Sequence, residues 1–435
     1  MSAHSTNTGM LSERLLQFIW QFQYFNNKNL FTAKGEPLQI IYPGIYNTNQ
    51  GPDFLQAKIK IGNTLWAGNI ELHVRASDWH AHHHEEDERY NNIILHVVWM
   101  NDKAVGDKGG HELQTLELQP LVSKFMLEHY NGLMQSHRFV PCENQLPVLS
   151  PIAWDSWKER LLVERLQKRS AKIFELLFKS NNHWEEVLWW MLARNFGITV
   201  NADAFEMMAQ SIPVNILAKH KNQIHQLEAL LLGQANLLNG DFEEDYVQLL
   251  QREYRFLQKK YTLQPAIATP VFLRMRPSNF PTVRLAQLAS LIGASEHLFS
   301  KIKEAALLND AMILLNITAN DYWHYHYRLG EPADYKPKAL GRQMMENIMI
   351  NTIIPILFAY GVYTKDQQYK DKAIEWLAQL APEMNNITKQ WKAHDVANSN
   401  ALHSQALLEL KKNYCDEKRC LDCAVGNKIL KGAVG

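Results

Sequence analysis

From Gly51 to His73 the chain alternates as two half-buried strands do, and nothing else in the sequence constrains its opening part as much. Lys58, Ile59, Lys60 and Ile61 point by turns to water and to a core. Gly62-Asn63 is a turn signal, and Trp66 to Val74 resumes an extended, partly alternating pattern. Gly51-Pro52-Asp53-Phe54 is a short acidic turn ahead of the first strand, and Glu71-Leu72-His73 closes the second. Asp53 and Glu71 therefore lie on neighbouring segments. Two carboxylates so placed can share a divalent cation such as Mg²⁺ or Mn²⁺, which takes oxygen ligands and keeps waters in its remaining positions.

A Pro-Asp pair, a hairpin, an acid, one spacer and a third polar residue resembles the PD-(D/E)XK nuclease motif, carried here by Pro52-Asp53 and Glu71-Leu72-His73. In that superfamily a helix comes first, three strands follow, and a helix crosses over to a further strand. The same order is readable here. A helix runs from about Leu11 to Phe25, and extended segments follow at Leu38 to Tyr42, Ala57 to Ile61 and Trp66 to Val74. A polar crossover from Trp79 to Tyr90 leads to an apolar strand, Ile93 to Trp99. The resemblance implies a restriction-endonuclease-like α/β module in which Asp53 and Glu71 hold Mg²⁺ or Mn²⁺. The place that the motif gives to a water-positioning Lys holds His73, which can donate a hydrogen bond or, near neutral pH, shuttle a proton. Some members take an extra metal ligand from the first helix. Glu13 is the acid in place for it, and an acid there also complements the positive end of the helix dipole. More narrowly, Asn49 to Phe54, Gly68 to His73, Asp78-Trp79 and Leu95 to Val98 are similar to an uncharacterised bacterial family described only as a domain of unknown function, over the whole chain.

A length of 435 residues, 46% of them hydrophobic, exceeds one compact core and suits two or three. The stretch Pro141 to Pro147 changes the character of the chain and sets a boundary. Residues 1–145 form the α/β module, and 146–435 form a helical domain ending in a cysteine cluster. Lys plus Arg equals Asp plus Glu at 45 each, and residues 1–150 hold 11 basic against 15 acidic side chains. Charge alone does not announce nucleic acid, so any basic surface must be local. Met1 to Gly9 lacks the apolar run of a signal peptide. Ile348 to Val362 comes nearest to a membrane span, but Asn351, Thr352 and Pro355 interrupt it and it reads as a buried helix. A cytoplasmic protein without a membrane partner is expected.

Asp78 to Glu88 mixes four histidines with acids, a composition that suits Zn²⁺, Mn²⁺ or Fe²⁺ and equally a solvated loop. His80 and His84, four apart, share one face of a helix and form the pair to test. His73 and His96 each interrupt an apolar strand, where an unpaired polar group is costly, so each is expected to have a partner.

From Pro151 the periodicity is helical, with helices expected at Trp184 to Phe196, Ile224 to Ala235, Asp245 to Tyr261 and Tyr369 to Leu380 among others, and without a fixed repeat. Phe272 to Arg284 places Arg274, Arg276 and Arg284 around a Pro-rich loop before a helix. Such a loop holds an anion, including a nucleic-acid phosphate, or pairs with acids at an interface. The aromatic cluster Trp323 to Tyr327 suits base stacking or a core.

Cys415, Cys420 and Cys423 make a C-x4-C-x2-C run in a chain of only four cysteines. That is not a secreted disulfide framework. A thiolate site would draw its fourth ligand from Cys142 or His403, and either Zn²⁺ or an iron–sulfur cluster fits, with free buried thiols the alternative. One distant Cys plus three near the end looks like the iron–sulfur staple of helicase-linked and CRISPR-associated members of the nuclease superfamily. Here the lone Cys follows the acidic motif instead of preceding it, and the spacing differs.

The expectation is an α+β chain, a restriction-endonuclease-like α/β module followed by an irregular all-helical domain. Its expected function is that of a metal-dependent nuclease acting on DNA or RNA. The alternative is a nucleic-acid-binding or scaffold protein that kept the fold without the chemistry.

Overall fold

The computed structural model describes residues 11–432 except Pro147, Arg274 and Glu296. The architecture is α+β, with a sheet in the N-terminal region and helices beyond it. Two compact units are present. One comprises Met1–Trp157, Lys392–Val396 and Leu410–Gly435; the other comprises Lys158–Trp391 and Ala397–Glu409. The expected division at residue 145 thus shifts, and the cysteine-bearing end of the chain belongs to the first unit. Burial explains its return: Val425, Ile429 and Leu430 of the last helix, Ala424–Gly432, are covered. Polar ties hold the same segment. Arg14 Nη2 meets Asp422 Oδ1 at 2.5 Å, and the Tyr24 hydroxyl donates to Asn427 Oδ1 at 2.6 Å.

The first unit opens with α1 (Glu13–Gln21), whose N-terminus is capped by the Ser12 hydroxyl accepting from Leu15 N–H and whose apolar stripe buries Leu15, Leu16, Phe18, Ile19 and Trp20. It is shorter than the periodicity suggested because Gln23 turns left-handed, at φ 53°. Strands β1 (Leu30–Phe31), β2 (Pro37–Tyr42), β3 (Ile45–Tyr46), β4 (Phe54–Ile61) and β5 (Thr64–Arg75) follow. After the crossover come β6 (Ile93–Met100) and β7 (Thr115–Glu117). The sheet order is β1-β2-β4-β5-β6-β7, with β3 also pairing β4. β4 runs antiparallel to β2 and β5, whereas β5, β6 and β7 are parallel. Parallel neighbours need a crossover. Here it is a one-turn helix, α2 (Asp78–Ala81), and two 3₁₀ turns, His84–Glu86 and Glu88–Tyr90. A further helix, α3 (Lys124–Gln135), completes the unit before its C-terminal segment.

One irregularity in β4 matters more than the rest. Ala57 pairs with Gly68, but Phe54 pairs with Ile70, so β4 carries one extra residue between them. Gln56 takes up the slack in a left-handed conformation, φ 60°, and its N–H donates to Asn69 Oδ1 at 3.3 Å. Without the bulge Asp53 would stand opposite Leu72. With it, Phe54 pairs with Ile70, and Asp53, just before the strand, meets Glu71 through its backbone N–H. A second slip, between the Asn69–Ile93 and Ile70–Leu95 pairs, sets Glu71 beside His96 on the parallel side.

The second unit is helical throughout its core. Trp184–Phe196, Ile224–Gln234, Asp245–Tyr261 and Gln367–Gln379 fall close to where periodicity put them, and Val214–His220 and Leu308–Ile313 are short helices the pattern did not reveal. Among the described residues one helix, Arg342–Thr364, is long and apolar enough to cross a membrane, and most of its apolar window is buried within the unit. Pro355 lies inside it, where a proline removes a backbone donor and crowds the preceding turn. The turn widens into a π segment, Met349–Ile353, and Arg169 Nη1 donates to the Ile350 carbonyl at 3.1 Å.

Candidate functional site

The face of the sheet carrying Glu71 is lined by five elements. From β5 come Glu71 and His73, two residues apart and so on one side of the strand. The turn before β4 brings Asp53, β6 brings His96, and the crossover brings His82 and His84. α1 lies against β5 and adds Glu13 and Gln17.

Asp53 and Glu71 are locked together through the backbone. Asp53 N–H donates to Glu71 Oε2 at 3.0 Å, and Leu72 N–H donates to Asp53 Oδ2 at 3.1 Å. Gln17 Nε2 donates to Asp53 Oδ1 at 2.7 Å and is itself held by the Tyr46 hydroxyl, which donates to Gln17 Oε1 at 3.1 Å. Glu71 is buried, while Asp53 and Glu13 keep part of their surface in solvent, so the pair is neither sealed in a dry core nor free on the surface. Burial pushes both carboxyls of the pair above the ordinary range. The Asp53 charge raises Glu71 further, and Glu13 adds to both. Glu13 is itself raised, by burial first, and stands near His82. Three acids crowded in this way favour a cation between them.

The histidines form a second, contiguous group. His73 Nδ1 lies 2.8 Å from His96 Nε2, and His73 Nε2 lies 3.2 Å from His82 Nδ1. The ring nitrogens of His73, His82 and His84 fall within 4.8 Å of one another. His84 Nε2 approaches Glu71 Oε1 to 3.5 Å, and His73 Nε2 approaches it to 4.0 Å, so the acid and imidazole groups share Glu71. Buried Trp79 sets its edge toward these rings, and Tyr90 stacks on His84 with centroids 4.0 Å apart. Burial, followed by the neighbouring imidazoles, holds His73 down at about 2. His96 is held at about 3, again by burial first. Both rings are therefore neutral at physiological pH. The proton-shuttle role open to His73 on sequence grounds does not suit a ring 1% exposed that stays neutral; hydrogen bonding or metal ligation does.

The pairing of His80 with His84 is replaced by His82 with His84. α2 ends at Ala81, and His83 turns left-handed at φ 56°, so helical spacing no longer applies and His82 and His84 converge on His73. Left-handed single residues of this kind have no strong sequence signal outside Gly and Asn. Gln17 was also missed, since a glutamine on an amphipathic helix announces nothing.

The arginines expected to hold phosphate belong to the second unit and behave differently. Arg274 lies outside the described residues. Arg276 is exposed. Arg284 is only 8% exposed; its guanidinium donates to Gln287 Oε1 at 2.9 Å and Asn279 Oδ1 at 2.5 Å, so it is a buried strut and not a phosphate contact. The aromatic cluster is likewise interior at its centre, with Trp323 fully buried and His326 Nε2 at 3.1 Å from Glu244 Oε1.

The four cysteines gather in the first unit as free thiols. Cys423 opens the last helix, where its sulfur accepts from the N–H groups of Val425 and Gly426 and stands beside the Trp157 indole. Cys142, Cys420 and Cys423 are close enough for their charges to act on one another, and Cys415 feels all three. Burial pushes Cys142 and Cys420 up to about 12. Gly426 permits this fold: a Cβ there would run into the Cys420 carbonyl. His403 does not join them. It belongs to the second unit, where its Nδ1 lies 3.0 Å from the Ser399 hydroxyl.

Fold and site together define an α+β protein with a sheet-borne carboxylate–histidine cluster and a separate group of four thiols. The chain belongs to the family described as protein of unknown function (DUF2851), whose model matches residues 13–386 and so takes in every member of that cluster. No curated protein and no solved structure matches it.

Proposed function

We propose that the first unit is a metal-dependent phosphodiester hydrolase acting on nucleic acid. The observation that carries this reading is the pair of hydrogen bonds that holds the Asp53 carboxylate against Glu71 at the start of β4, from Asp53 N–H to Glu71 Oε2 and from Leu72 N–H to Asp53 Oδ2. The order of elements supports it: a helix, a three-strand meander, a crossover and a parallel strand, which is the order of the PD-(D/E)XK nucleases. A bound divalent ion would lower the pKa of a coordinated water and offset charge on the phosphate. Asp53 and Glu71 would hold it, with Glu13 a further oxygen donor. Gln17 fixes the Asp53 carboxylate, and the neutral His73 ring is set toward Glu71.

Linear and single-stranded DNA incubated with the full chain and Mn²⁺ is expected to be cut, and Asp53→Asn should reduce the rate by more than about 100-fold, the loss that disturbing even an outer partner of a metal can cause. Cutting that persists in Asp53→Asn, or wild-type protein that never cuts DNA or RNA, would remove the reading. A chain that binds nucleic acid without cutting it would fit the binding or scaffold alternative. His73 favours that alternative, because a ring 1% exposed cannot reach a phosphate as the motif's Lys does.

A further inference from the structure

We infer that the ion this site takes is a borderline transition metal (Mn²⁺, Fe²⁺ or Zn²⁺) and not Mg²⁺, because His73, His82 and His84 add imidazole ligands on the far side of Glu71, the acid they share with Asp53; the inference deepens the hydrolase reading and rests on it for the metal's purpose. Mg²⁺ demands near-octahedral oxygen ligation and dehydrates reluctantly. Three imidazole nitrogens within 4.8 Å of one another, two of them 3.5 and 4.0 Å from a carboxylate oxygen, make the opposite kind of donor set. Metal–nitrogen bonds of about 2.1 Å need nitrogens roughly 3–3.5 Å apart. The 3.2 Å separation of His73 Nε2 and His82 Nδ1 already meets that requirement.

The support behind the ligands points the same way. When His73 Nδ1–H donates to His96 Nε2, 2.8 Å away, the His73 Nε2 lone pair is left facing His82 and His84. A ligating histidine is commonly fixed in just this manner through its other nitrogen. His96 is then a positioning residue, not a ligand. Its Nδ1 is buried and has no hydrogen-bond partner among the described residues, a cost that a purely structural pair of histidines has no reason to bear. His73 thus occupies the motif's Lys position as a ligand instead of as a substitute cation.

The test is a Co²⁺ titration of chelator-treated full-length protein, read by weak visible d–d bands from a nitrogen–oxygen site, apart from the intense near-ultraviolet charge transfer of thiolates. The double variant His82→Ala/His84→Ala alters one exposed and one half-buried ring and should lose the visible bands, with at least a 100-fold fall in affinity. His80→Ala is the control and should keep them. Visible bands unchanged in the double variant would overturn the inference, as would Mg²⁺ competing for the site at equal concentration. Bands without any DNA or RNA cutting would leave the metal site standing and remove the hydrolase reading. Cutting with Mg²⁺ that is indifferent to the double variant would do the reverse.

Discussion

Glu71→Gln should melt higher than the wild type in a chelator and gain nothing from added Mn²⁺, while the wild type gains several degrees. Glu71 lies 6% exposed against Asp53 and within reach of Glu13, so without a metal the fold must keep its carboxyl protonated or bear a desolvated charge beside other acids. A glutamine keeps the acceptor for Asp53 N–H and removes the charge. Relief on the order of 2 kcal/mol corresponds to about 4–8 °C for a domain of this size. Wild-type protein with metal at a hundredfold excess over its dissociation constant should gain about 2.7 kcal/mol, which the variant forgoes. A variant that melts lower than the wild type in chelator would mean that Glu71 serves the fold as a charge, and the functional reading of its burial would fail.

The second expectation is a pH dependence belonging to the helical unit. Glu228 is fully buried and accepts hydrogen bonds from the Tyr246 hydroxyl at 2.8 Å and Asn320 Nδ2 at 2.9 Å. Burial pushes its carboxyl up to about 7 from 4.5. Because the folded value is raised, the folded chain holds the proton more tightly than the unfolded chain. Its contribution is fully present below the unfolded value and is lost as pH rises through the folded one. Between pH 4.5 and 7.5 the loss approaches about 3 kcal/mol. Glu228→Gln, neutral at every pH, should match the wild type near pH 4.5 and exceed it by about that amount at pH 8 in chemical denaturation. An equal difference at both pH values would show that Glu228 does not titrate in this window.

Several elements were legible because their signals are local. The period-two alternation of Lys58 to Ile61, the Gly62-Asn63 turn and the apolar run at Ile93 each found their strand, and helical periodicity located Trp184–Phe196 and Asp245–Tyr261 to the residue. The cysteine spacing pointed to one grouped site, and all four thiols do gather in one unit. Errors fell where a single backbone conformation or a long-range contact decides. Arg284 looked like a phosphate contact because a loop arginine carries no mark of burial. His80 was favoured over His82 because helical spacing was applied beyond the end of a one-turn helix.

What the sequence determined by itself is therefore the inventory: two acids on adjoining strands, histidines interrupting apolar strands, four cysteines and a long helical region. Which of them meet was settled only in three dimensions. Side chains alternate with a period of two along a strand, so the one residue inserted at Gln56 decides which residue of the neighbouring strand Phe54 faces, and with it where Asp53 enters the site. Likewise the last helix joins the first unit through apolar burial and contacts across 400 residues of chain, a choice no local pattern encodes.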